Sequence, residues 1–250
     1  MSYHLETAEH PERLRRVAID PVSRVEGHGK VTLLFDDANK VQQVRLHIVE
    51  FRGFEKFIQG RPYWEVPVMV QRLCGICPVS HHLAAAKAMD RIVGAQHLTP
   101  TAEKIRRLMH YGQILQSHAL HFFHLCSPDL LFGFDSDVGK RNIVGVAEKH
   151  PETARRGVLI RKFGQEAIRI TAGKRIHGTG AIPGGVNKSL SVAERDSLLK
   201  DAYQIVGWCR DAVHLARELH ETDPALYNSF GIFRSHTMSL VGHDGAMDLY

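Results

Sequence analysis

The residues best suited to chemistry lie in one short segment, Arg72-Leu73-Cys74-Gly75-Ile76-Cys77-Pro78-Val79-Ser80-His81-His82. Two cysteines separated by two residues can turn both sulfurs toward one metal ion, because the turn between them is short. Pro78 suits the first turn of a helix that the run Ala84–Val93 continues, so the pair is expected at a helix N-terminus. There the dipole and the unsatisfied N–H groups favour thiolate over thiol. Thiolates are soft ligands, suited to zinc, nickel, copper(I) or iron–sulfur iron. The histidine that follows adds a third ligand or a donor to sulfur. A closed zinc site needs four ligands, and an iron–sulfur cluster usually needs four local cysteines. The other two, Cys126 and Cys209, are single and fall in helical stretches, as buried core cysteines do. A metal on Cys74 and Cys77 must therefore take its other ligands from elsewhere in the protein or from another chain.

Further segments carry weaker signals. In Asp20-Pro21-Val22-Ser23-Arg24-Val25-Glu26-Gly27-His28, Glu26 stands beside glycine and histidine just before a strand. It is a proton carrier or a salt-bridged surface turn. In Phe51-Arg52-Gly53-Phe54-Glu55-Lys56, Glu55 sits among aromatics. A half-buried carboxylate there is costly unless it binds a cation or pairs with Arg52 or Lys56. The glycine-rich stretch His177–Asn187 has Pro183 where a dinucleotide loop needs glycine and lacks a surrounding βαβ unit, so it reads as a tight structural loop. His118, His121 and His124 drift off one helix face and read as packing residues.

The elements that must position these groups can be read from periodicity and caps. Lys30–Phe35 and Val41–Phe51 form a β-hairpin across Asp36-Asp37-Ala38-Asn39. Thr99 and Pro100 start a helix whose apolar face runs Ile105, Leu108, Gly112, Leu115, Ala119, Phe122, and Pro128 is expected to end it. Ser191 with Glu194 makes a capping box before the stripe Leu198, Ala202, Ile205, Cys209, Ala212, Ala216, Leu219. The fold class is therefore mainly α with a small β-sheet, a helix-bundle core flanked by an N-terminal antiparallel sheet (α+β). Residues 1–18 read as a polar lead-in and 19–250 as the folded part. The stretch Gly242–Tyr250 reads as an interruption rather than a closing element.

Composition bounds the rest. The 250 residues, 44 % hydrophobic and 24 % charged, exclude disordered and collagen-like classes. The four cysteines and polar N-terminus argue against a secreted disulfide scaffold. A net charge of +5 comes from scattered basic residues, so nucleic-acid binding is not expected. No apolar run approaches the roughly 18 residues of a membrane span. The 17 histidines leave room for metal or proton chemistry.

Taken together, the motifs resemble the large subunit of [NiFe]-hydrogenases. R-x-C-G-x-C-x-x-x-H matches Arg72–His81, R-[VI]-E-G-H matches Arg24–His28, R-G-x-E matches Arg52–Glu55 and P-G-G-V matches Pro183–Val186. The wording is most like the soluble, bidirectional NAD-reducing group, and the similarity spans about residues 17–250. The resemblance implies that Cys74 is a terminal nickel ligand and Cys77 bridges nickel and an iron carrying CO and cyanide. It implies that Glu26 takes a proton from a terminal thiolate and that Glu55 helps hold Mg2+ or a similar divalent ion. It further implies that His81 hydrogen-bonds a cysteine sulfur and Arg72 supports the loop. The family's second pair of thiolates comes from a C-terminal D-P-C-x-x-C, which this sequence lacks, so it reads as the N-terminal half of a longer subunit. Electrons would leave through an iron–sulfur small subunit to diaphorase subunits carrying further clusters, FMN and NAD, in a cytoplasmic complex. The competing readings are a related hydrogenase with another acceptor such as a deazaflavin, a non-catalytic respiratory-complex relative, and a zinc-binding helical protein. The respiratory relative lacks the cysteine pair.

Overall fold

The computed structural model describes residues 8–48, 50, 53–95, 97–246 and 248. They divide into two compact units, residues 1–53 and 54–250.

The first unit is a three-stranded antiparallel sheet in the order β1 (Arg15–Ile19), β2 (Gly29–Phe35), β3 (Val41–Ile48). Val17 pairs with Leu33, and Leu33 with Val44. The turn forms because Asp36 Oδ1 accepts the N–H groups of Ala38 and Lys40 at 3.0 and 2.9 Å, and Asn39 takes a left-handed φ of 60° that asparagine tolerates. Backbone donors, the Lys40 N–H foremost, hold the Asp36 carboxyl below its ordinary pKa. The hairpin is as expected to Ile48, and the expected continuation through Val49 and Phe51 lies outside the described residues. β1 was not foreseen: it begins within the stretch read as a polar lead-in, and with only Val17 partly buried it carries no alternating pattern.

The second unit is helical. Its elements are α1 (Phe54–Phe57), α2 (Val66–Val70), α3 (Pro78–Ile92), α4 (Pro100–Leu120), α5 (Ser127–Phe132), α6 (Ile143–Lys149), α7 (Pro151–Ala172), the two-residue strands β4 (Ala181–Ile182) and β5 (Gly185–Val186), α8 (Val192–Thr222) and α9 (Pro224–Ser229). Thr99 caps α4 by accepting the Ala102 N–H at 3.3 Å, with Pro100 in the first turn. Ser191 and Glu194 form both arms of the capping box on α8. Lys188 beside Glu194 is the main reason its carboxyl is held down at about 2.

The central partner of α4 is α7, which the sequence reading did not single out. Val79, Leu83, Ala86, Met109, Ile168, Ala172 and Ala181 make one core where α3, α4, α7 and β4 meet. Each large apolar side chain fully buried there contributes roughly 1.5–3 kcal/mol. A second core joins Ala119, Phe123, Ile160 and Ile205. Helices α4 and α7 approach closely through glycine. A β-carbon at Gly164 would lie 2.6 Å from the Gly112 carbonyl oxygen. Along α8 the stripe read from sequence is the side that packs, yet only Ile205 is fully buried.

Pro128 does not end the helical path. After Leu120 the chain passes through a π-helical turn, His121–Cys126, and restarts as α5 with Pro128 in its first turn. A proline lacks the N–H that an interior α-turn requires, and the wider π turn lets the chain run on to Phe132. The loop His177–Asn187 is structural, as expected, and adds the β4–β5 hairpin. Pro183 and Gly184, with φ 81°, occupy its turn. Buried Arg106 holds that hairpin, donating to the carbonyls of Ile182 and Gly185 at 2.8 Å each and to Asp90 at 2.7 Å.

Candidate metal centre

The two cysteines are brought together by the change from a 3-10 turn (Gln71–Leu73) to α3. Cys74 leaves the turn extended, and Cys77 is the N-cap residue of α3, with Pro78 at the first helical position as expected. The backbone N–H of Cys77 donates to Cys74 Sγ at 3.1 Å. Cys74 is buried and Cys77 half-buried, and neither is in a disulfide. An N–H aimed at sulfur is a contact that a negatively charged sulfur accepts best.

The loop is held from both sides. The Arg72 guanidinium donates to His177 Nδ1 at 3.1 Å, and His177 Nε2 lies 3.3 Å from the Cys74 carbonyl oxygen. Since arginine can only donate, His177 carries its proton on Nε2 and donates it to that carbonyl. From α4, Gln113 and Gln116 donate to the Ile76 carbonyl at 2.8 and 2.6 Å. His82, 1 % exposed, spans α2, α3 and β4. Its Nδ1 donates to the Pro67 carbonyl at 2.7 Å, and its Nε2 accepts the Ala181 N–H at 3.0 Å. Burial, the largest cause, pushes its pKa below 6.5, so the ring is neutral.

Of the residues singled out from sequence, Arg72, Cys74 and Cys77 share this loop. His81 lies in the first turns of α3, half-buried, four residues beyond Cys77. Glu26 is exposed in the β1–β2 connection of the first unit. There Gly27 (φ 77°) leaves room that a β-carbon would deny to Glu50, whose Oε1 bonds His28 Nδ1 at 3.0 Å. Glu55 lies in the one-turn helix α1 and is exposed, not half-buried as its aromatic neighbours suggested. A four-residue helix has too little surface to shield it. Arg52 lies outside the described residues. Among the described residues, no group of three or more His, Cys, Asp or Glu is placed to hold a metal ion.

Sequence reading missed His177, His82, Gln113 and Gln116. The glutamines carried a usable signal, because both lie on the buried side of α4 beside Gly112 and Ala119, and a buried polar side chain needs a partner. The cysteine pair fits a soft metal ion: two adjacent sulfurs, one of them accepting a backbone N–H, on a loop whose Cys74 and Ile76 carbonyls are pinned on the protein side. It supplies part of a ligand set.

One unit is an antiparallel sheet and the other is helical, with a C-x-x-C turn at the start of α3. Residues 52–132 match the family described as nickel-dependent hydrogenase, and residues 16–51 match one described as HoxL-like. The NAD-reducing hydrogenase HoxS subunit beta of Cupriavidus necator is 48 % identical over 94 % of this chain and 51 % of its own length. One of the F420-non-reducing hydrogenase vhu subunits of Methanocaldococcus jannaschii is 45 % identical over 94 % of this chain and 56 % of its own. The crystal structure of an NAD+-reducing [NiFe]-hydrogenase in the H2-reduced state superposes with TM-score 0.92 and 64 % identity, covering 94 % of this chain and 52 % of that one. The Ni-Fe-Se hydrogenase of D. vulgaris Hildenborough superposes at 0.72 with 26 % identity, over 86 % of this chain and 46 % of its own. The chain belongs to the nickel-dependent hydrogenase family. It spans about half the length of the relatives it matches.

Proposed function

We propose that this chain supplies Cys74 and Cys77 to the nickel–iron centre of a hydrogenase that reversibly oxidises H2 with NAD+ (H2 + NAD+ = NADH + H+). The observation that carries this reading is the Cys74–Cys77 turn at the start of α3, with its N–H···S contact. The relatives at 48 % and 64 % identity are both named as NAD-reducing, which supports NAD+ as the acceptor over another carrier.

In this reading the Cys74 and Cys77 thiolates would hold the nickel–iron centre, and the remaining thiolates would come from outside these residues. When bound, the centre, with CO and cyanide on its iron, supplies heterolytic H2 cleavage. The chain's own groups do the rest. Arg72 and His177 hold the Cys74 carbonyl. His81 donates to a cysteine sulfur. Glu26 would serve as a proton acceptor, which is general-base work. Glu55, exposed in α1, suits a Mg2+-type ion completed by ligands from elsewhere. Electrons pass to an iron–sulfur small subunit, then to diaphorase subunits with FMN and NAD. The proposed complex is cytoplasmic. No helix of the described residues is long and apolar enough to cross a membrane.

The test is to purify the chain with its partner subunits and measure metals and H2-dependent NAD+ reduction. Nickel with iron, and NADH formed under H2, is the expected result. Zinc alone would leave a structural metal site and overturn the proposal.

A further inference from the structure

Resting on the reading of Cys74 and Cys77 as metal ligands, we infer that Gln113 and Gln116 are positioning residues that aim a hydrogen bond at the Cys74 sulfur. Both are buried, at 2 % and 4 % exposed. Both donate to one acceptor, the Ile76 carbonyl, at 2.8 and 2.6 Å. That carbonyl belongs to the same planar peptide unit as the Cys77 N–H, the group that donates to Cys74 Sγ at 3.1 Å. In a trans peptide the C=O and N–H point in opposite directions. Two donors fixing the oxygen therefore fix the direction of the N–H toward sulfur. They also polarise the peptide, which strengthens the N–H as a donor.

Stability alone does not account for this pair. Gln113 Oε1 is buried without a hydrogen-bond partner among the described residues. A buried acceptor left unpaired is unfavourable, and an apolar side chain of similar length would avoid it. What the glutamine adds is its donor, and that donor goes to the cysteine turn. The carbonyl has two lone pairs, so it takes both carboxamides at once. Each glutamine therefore holds the carbonyl through its own hydrogen bond, and the effects of the single variants should multiply in the double.

The experiment compares Gln113→Met, Gln116→Met and the double variant in the full chain. Amide exchange over residues 74–77 is followed by mass spectrometry. The protein is also titrated with Ni2+ alone, and the sulfur-to-nickel charge-transfer band is recorded. With each hydrogen bond worth about fivefold, exchange in the turn rises about fivefold in the single variants and about 25-fold in the double, while α4 exchange stays unchanged. The charge-transfer band of the double variant moves to longer wavelength, because sulfur loses part of its N–H donor, and Ni2+ binds more weakly. Unchanged exchange over 74–77 in the double variant overturns the inference. So does an equal rise throughout α4, which would make the glutamines simply part of the core. A Ni2+ band that survives Cys74→Ser refutes the metal reading instead, and the exchange comparison still decides whether the glutamines hold the turn.

Discussion

Gly164→Ala should destabilise the helical unit although alanine is the better helix former. At mid-helix the exchange gains about 1 kcal/mol in propensity. Against that, the added β-carbon would lie 2.6 Å from the Gly112 carbonyl oxygen, 2.8 Å from the Gln116 nitrogen and 2.9 Å from Gln116 Cβ. The first two are backbone atoms of a helix and cannot swing aside, so α4 and α7 must part along their length. Overpacking of this kind costs about 1–3 kcal/mol, and the lost contacts between the separated helices add to it. A net loss of about 1–2 kcal/mol is expected, lowering the melting temperature by about 2–8 °C in a chain of this size. Gly207 in α8 provides the matched control, since a β-carbon there meets nothing within 4 Å. Gly207→Ala should keep the propensity gain and melt about 1–4 °C higher. Far-ultraviolet circular dichroism on both variants at matched concentration measures the difference. If Gly164→Ala melts at or above the wild type, or the two variants shift in the same direction, the close approach of α4 and α7 is not what limits that position.

Three further outcomes follow from the site and its surroundings. Cys77→Ser should abolish H2 oxidation and metal retention in the complete enzyme, because a hydroxyl is a harder and less readily ionised ligand; a variant that keeps nickel and iron and turns over would refute the bridging role. Glu26→Gln should retain the metals but lower both H/D exchange and NAD+ reduction by about two orders of magnitude, and unchanged turnover would return Glu26 to a turn residue. Burial pushes the pKa values of His82, His110 and His124 below 6.5. The unfolded chain therefore binds more protons just below that value, so their stabilisation is full above about pH 6.5 and is lost as pH falls toward the lowered values. Denaturant midpoints should be lower at about pH 5.5 than at about pH 7.5; Glu152 and Glu194, held at about 2, contribute no slope until pH drops below their ordinary 4.5. An equal midpoint at the two pH values would count against the buried neutral histidines.

What could be read from sequence was local. The caps at Thr99 and Ser191, the turn at Asp36 and the helix start at Pro78 each depend on residues within a few positions of one another. The cysteine turn belongs to the same class. The contacts that complete the site join residues far apart in the chain: 37 and 40 positions for the glutamines to Ile76, 103 for His177 to Cys74. No periodicity encodes such pairings. Helix α7 escaped notice for a different reason. Its packing face is built on Gly157 and Gly164, residues that lower helix propensity, and the charged residues beside them blur the apolar stripe. Pro128 misled because an isolated proline signals a helix end, whereas a π turn accommodates it here. Glu55 was expected half-buried from its neighbours, but a single helical turn cannot enclose a carboxylate.

The Arg106–Asp90 pair has a consequence for how variants of this protein will behave. Arg106 is fully enclosed, and its guanidinium ties α4 to α3 through Asp90 and to the β4–β5 hairpin through Ile182 and Gly185, while Asp90 also takes the Gly184 N–H at 2.6 Å. Helix α3 begins at the cysteine turn, with Cys77 as its N-cap, and α4 carries the glutamines that hold that turn. Losing one partner of such a buried pair is expected to cost about 3–5 kcal/mol. Tolerated change at either position should therefore be concerted, with the charge partner and the turn altering together. A lone substitution at Asp90, well outside the metal-binding motif, should present as a maturation defect: a chain that is made, loses its grip on the cysteine turn and never retains metal.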